Sequence, residues 1–180
     1  MEDKTIEYLN KYFDKDFRVT PMAPDKYTLN DIENIEETLG IKFPEEYKAH
    51  ILGAFPGMYV EIIEKVWPRP KLYDVGPFWT FLYGIHTYSG SKNSEDWMRL
   101  EIIGKEFIEE TEIKAVPVLK IIGNEDLYCV NEEGKIVQYN HEENIIEEIN
   151  MNFWELLDKE LMELKEGKEK KIKENRKNKM

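Results

Sequence analysis

The sequence predicts an α+β domain: a single, mainly antiparallel twisted sheet of about five to six strands, packed with N-terminal, middle and C-terminal helices. Three observations predict it. Apolar residues recur at steps of three and four near both ends of the chain and again in the middle, the period of a helix with one buried face. Short β-branched and aromatic runs lie between them. The turns joining the later runs are too short for the crossovers that parallel strands require, so those strands must be antiparallel neighbours. A chain of 180 residues suits one such domain.

Each element has its own signal. Ile6, Leu9, Phe13 and Phe17 make the stripe of a first helix, and Arg18 to Lys26, with Pro21 and Pro24, reads as a loop. Thr28 caps a second helix, with Asp31 completing a weak capping box. Leu29, Ile32, Ile35 and Leu39 form its apolar face, and Gly40 sits where a left-handed residue ends a helix. Pro44 fits the first position of a third helix, whose buried face is Tyr47, Ile51 and Leu52. Met58 to Val66 reads as a strand that Trp67-Pro68-Arg69-Pro70 breaks. Phe78 to Ile85 reads as a second strand, with Trp79, Phe81, Tyr83 and Ile85 on one face.

Ser94 caps a middle helix with the stripe Trp97, Leu100, Ile103 and Phe107. A meander follows: Val116 to Ile122, Leu127 to Val130, a turn at Asn131-Glu132-Glu133-Gly134, Ile136 to Tyr139, and Ile145 to Ile149. Asn152 and Glu155 open the last helix, which buries Phe153, Leu156, Leu157, Leu161 and Leu164. The composition changes only after Leu164. Residues 1–164 form the domain, and 165–180 form a basic tail, a frayed helix end or a disordered one.

Charge narrows the function. The chain carries 37 acidic and 25 basic residues, a net charge of −12. Residues 165–180 hold eight basic and three acidic side chains, or +5, which leaves −17 on the rest. Such a body repels nucleic acid and attracts a basic partner. No apolar run approaches a membrane span, and Met1-Glu2-Asp3-Lys4 has no leader character. Cys129 is the single cysteine, which fits a reducing cytoplasm.

The block Asp31-Ile32-Glu33-Asn34-Ile35-Glu36-Glu37-Thr38-Leu39-Gly40-Ile41-Lys42-Phe43-Pro44-Glu45-Glu46-Tyr47-Lys48 resembles the signature of the SUKH superfamily. Ile35, Leu39, Gly40, Pro44 and Tyr47 carry the match. Phe43 stands for the usual Leu, and Phe55-Pro56-Gly57 for a frequent Asn-Gly-Gly. Val116-Pro117-Val118, Gly123-Asn124, Leu127 to Val130, Gly134-Lys135-Ile136-Val137 and Asn152 to Leu157 follow in the family's order. The resemblance spans about residues 5 to 164. That superfamily includes the yeast cell-wall assembly regulator and bacterial immunity proteins of polymorphic toxin systems. The resemblance therefore implies a binding module rather than an enzyme.

The residues themselves offer little chemistry. Glu46 and His50, four apart on a helix, have a metal-capable spacing; the plainer reading is an exposed helix pair. His141-Glu142-Glu143 reads as a solvated turn. Cys129, between Tyr128 and Val130, reads as buried and inert. Esterase, phosphate-loop and dinucleotide signatures are missing from the sequence, so it predicts no catalytic residue, no metal and no cofactor. The aromatic residues Trp67, Tyr73, Trp79 and Tyr83 flank the Pro-rich stretch 68–77, with Glu61 and Glu64 as a possible acidic rim. They either anchor a partner or fill the core. The sequence thus points to a non-enzymatic, cytoplasmic immunity protein. It would neutralise a basic toxin domain, such as a nuclease, through an acidic, aromatic-anchored face. A regulatory scaffold binding several partners is the alternative. Neither nucleic acid nor a membrane is an expected partner.

Overall fold

Seven antiparallel strands form one sheet in the order in which they occur in the chain. They are β1 (Phe17–Pro21), β2 (Met58–Ile62), β3 (Gly84–Thr87), β4 (Ala115–Ile121), β5 (Leu127–Asn131), β6 (Ile136–Asn140) and β7 (Ile145–Glu148). Five helices accompany them: α1 (Lys4–Tyr12), α2 (Leu29–Leu39), α3 (Glu45–Ile51), α4 (Leu100–Thr111) and α5 (Phe153–Asn178). This computed structural model describes residues 3–180. The N-terminal Met1 and Glu2 of the leader reading lie outside the described residues.

The α+β class and the antiparallel sheet are as the sequence predicts, with one strand more than the upper count. The extra strand is β1, where two prolines suggested a loop. An edge strand needs N–H donors on one side only, so Pro21 is tolerated opposite Met58. Phe17 belongs to this strand and not to α1, which ends at Tyr12. Phe13 and Phe17 still meet, stacked at 4.3 Å.

Caps set the helix boundaries. Thr28 and Asp31 form a complete capping box on α2, and Gly40 ends that helix at φ 69°. Asn152 and Glu155 do the same for the start of α5. Other expectations need correction. Ser94 caps nothing: its hydroxyl bonds the Met22 carbonyl and Ser89 Oγ, each at 2.8 Å. The Leu100 N–H is held by Ser89 O at 2.8 Å, so α4 begins only there, after a 3-10 turn at Asp96–Met98. Trp97 sits on that turn, 45% exposed and off the core stripe. Leu52 is also exposed, unlike Tyr47 and Ile51. Phe78 to Phe81 is a 3-10 turn and not a strand, because Thr80 bonds back to Pro77 O through both its N–H and its hydroxyl.

One main core joins α2, α3 and α5 to the sheet, with Ile32, Tyr47, Val60, Val118, Phe153 and Leu157 among its buried residues. A smaller cluster gathers Phe107 of α4 with Ala115, Cys129, Val137 and Tyr139. Among the described residues no helix is long and apolar enough to cross a membrane. Helix α5 runs through the basic segment to Asn178 without a break at Leu164.

Candidate functional site

Between β2 and β3, residues 63–83 leave the sheet as a long loop. Trp67 pins the base of this loop. It is only 1% exposed, its indole N–H donates to the Thr80 carbonyl at 2.9 Å, and its ring meets Trp79 edge to face at 5.8 Å. Arg69 adds a second clamp, donating to the carbonyls of Trp67 at 2.8 Å and Ile62 at 2.6 Å. The tip is the reverse of the base. Leu72 and Tyr73 are each 88% exposed, Val75 is fully exposed, and Phe78 is 58% exposed. Four large apolar side chains on one rigidly based loop are an unusual use of surface.

The structure separates the six residues singled out in the sequence. Tyr73 and Glu64 face solvent, Trp79 and Tyr83 are half-buried, and Trp67 and Glu61 are buried. Glu61 supplies no free acidic rim. It is bonded to the Arg18 guanidinium and lies 3.4 Å from Arg69, which stacks 4.0 Å over the Tyr83 ring. Sequence reasoning missed Leu72, Val75 and Phe78. Leu72 and Val75 lie in a stretch with no helix or strand period, and Phe78 falls at the start of the strand expected over 78–85. It also missed Arg18, Arg69 and Lys170, for which only the fold supplies proximity.

The basic half of α5 closes the back of the site. Lys170 lies 4.1 Å over the Trp79 ring, and the Asn175 side chain donates to the Val66 carbonyl at 2.9 Å. Gly167 permits this approach, since a Cβ there would come within 3.3 Å of the Trp67 ring. Lys168 is buried and bonded to Asp14, with Asp16 at 3.4 Å. Burial works against its charge, yet these two carboxylates hold its pKa above the ordinary value. A groove of about 240 Å³ remains between α5, the loop and the sheet, walled by Trp67, Trp79, Leu82, Ile121 and Leu164.

The other candidates have different surroundings from those their spacing suggested. His50 does not form an exposed pair with Glu46. It is fully buried, bonded to Thr5 Oγ1 at 2.9 Å and Thr87 Oγ1 at 2.8 Å, and burial pushes its pKa down to about 4. Burial likewise pushes the Cys129 thiol up, away from nucleophilic use. Among the described residues no three His, Cys, Asp or Glu side chains converge as a metal site would require.

Residues 26–159 match the SMI1 / KNR4 family (SUKH-1). The chain belongs to this family. No curated protein and no solved structure matches it. Membership in the SMI1 / KNR4 family supports a protein-binding module of the immunity or regulatory kind. The matched span includes the exposed loop but stops at residue 159, before the α5 residues that back it. Those contacts are therefore read from this chain alone.

Proposed function

We propose that this SMI1 / KNR4 family member is a non-enzymatic immunity protein of the cytoplasm, which binds and neutralises a basic toxin domain. The observation that carries the reading is the loop tip Leu72, Tyr73, Val75 and Phe78, exposed on a base that Trp67 buries. Tyrosine and large apolar groups on a preorganised support suit a partner's pocket, because little conformational entropy is lost when they dock. In this reading Tyr73 is the anchor, and Glu64 is an exposed acidic group at the start of the same loop. Trp67, Trp79, Tyr83 and Glu61 hold the loop in shape. The charge of −17 on residues 1–164 would steer a basic partner to the surface.

The test is capture of partners from the native cell's lysate and secreted fraction at low salt, followed by a salt gradient. A single basic protein with a toxic domain, released at high salt and lost with Tyr73→Ala, supports the reading. Its association rate should fall steeply with ionic strength. Several partners released at modest salt would instead make the protein a regulatory scaffold.

A further inference from the structure

We infer that the groove between α5 and the base of the 63–83 loop seats an arginine side chain presented by the protein partner. The inference rests on the protein-binding reading above and names a recognition element within it.

The groove combines apolar walls with an incompletely paired carboxylate. At about 240 Å³ it falls below the ~300–1,000 Å³ usual for whole small molecules and suits one long side chain. Glu160 lines it and is only 3% exposed. The Tyr128 hydroxyl donates to Glu160 Oε1 at 2.7 Å, and Lys159 Nζ approaches the same oxygen at 3.1 Å. Oε2 receives no hydrogen bond among the described residues. Burial accordingly pushes this carboxyl up, and a bound cation would bring it back down. Glu163 and Glu166 stand on the same rim. Lys159 pairs with Glu163 at 3.3 Å, and Glu166 makes no ion pair among the described residues. Lys159 is thus shared between Glu160 and Glu163, which leaves Glu160 Oε2 and Glu166 to meet an incoming cation.

The chain's own Lys170 indicates what the aromatic wall accepts, since its ammonium already lies 4.1 Å over Trp79. Displacement would not strand it. Lys170 is four residues beyond Glu166, the spacing at which helical side chains pair. Arginine fits better than lysine because a planar guanidinium can stack on indole while it bonds a carboxylate oxygen. An uncharged side chain would fill the walls but leave Oε2 unpaired.

The test is an NMR titration of the full chain with the peptide acetyl-Gly-Arg-Gly-amide, read at the Trp67 and Trp79 indole N–H signals. Saturable shifts at both indoles are expected. The citrulline peptide, identical in shape and uncharged, should bind roughly tenfold more weakly, the loss of a charge-assisted hydrogen bond. Glu160→Gln should weaken the arginine peptide by a similar factor, and Lys170→Ala should tighten it. The Lys170 variant keeps the test decisive if the Glu160 variant does not fold. No saturable shift, equal binding of citrulline, or equal binding of the lysine peptide would each overturn the assignment. A partner that is lost with Tyr73→Ala but indifferent to Glu160→Gln would overturn it too, and would leave the toxin-binding reading standing.

Discussion

Glu36 Oε1 accepts the backbone N–H of Phe43 at 2.8 Å, closing the turn between α2 and α3 from inside. The Glu36 side chain is fully buried and also receives Lys48 at 3.0 Å and Lys42 at 3.2 Å. Burial opposes its charge, but the Phe43 N–H and the two lysines hold its pKa below the ordinary carboxylate value. Glu36→Ala leaves the Phe43 N–H unpaired and Lys48 with only Glu45 at 3.7 Å, and should cost about 2–4 kcal/mol by urea unfolding. Because the folded-state pKa is depressed, this contribution is complete above the unfolded value and is lost as pH falls through the folded one. Glu36→Gln should therefore flatten the acid limb of the stability curve below about pH 4.

Two buried histidines set a second pH window. His50 and His86 both have pKa values pushed down to about 4, first by burial and, for His86, also by Lys120. The unfolded chain takes up these protons near pH 6.5, whereas the folded chain resists them. Stability is complete above that pH and should decline between about 6.5 and 4, by up to ~3 kcal/mol for each histidine. His50→Gln should reduce the slope in this window by about half. An unchanged slope would mean that His50 is protonated in the folded protein.

Tyr73 and Trp67 should behave as opposites. Tyr73→Ala removes an 88% exposed ring and should change stability by no more than about 0.5 kcal/mol. Trp67→Ala empties a buried site and breaks the bond to Thr80 O, at a cost of about 3–5 kcal/mol. Thermal unfolding distinguishes them, and limited proteolysis should find the 68–78 loop newly cleavable only in the Trp67 variant.

Ending the chain at Leu164 should be harmful, although the removed residues are mostly charged. It deletes the Lys168 contacts with Asp14 and Asp16 and the Asn175 bond to Val66, and it uncovers Trp67 and Trp79. A loss of about 2–4 kcal/mol, or roughly 5–15 °C in Tm, is expected. A red shift in tryptophan emission should accompany it. An unchanged Tm would show that the basic half of α5 contributes nothing to the domain.

The helix ends and the meander were legible because their causes are local. Thr28 with Asp31, Gly40, and Asn152 with Glu155 act within a few residues of themselves. The turn at residues 131–134 and the short apolar runs after Ala115 fix β4 to β7 in the same way. The failures have distant causes. Phe17 keeps helical spacing from Phe13, yet pairing with Ile62 recruits it into β1. Ser94 resembles a cap, but Ser89 and Met22 claim its hydroxyl.

By itself the sequence determined the fold class, the family signature, the acidic body and the stretch of chain in which the aromatic residues gather. Only the tertiary structure decided the use of each. Trp67 and Tyr73 have equal claims as sequence features, and one is 1% exposed, the other 88%. Glu61 reads as free acid until two arginines, one distant in the chain, converge on it. The basic segment reads as a tail until Lys168 meets Asp14 and Asp16 across the chain. The physical reason is common to all three. Composition and periodicity set what a residue prefers, whereas burial and ion pairing depend on which groups arrive beside it from elsewhere in the chain.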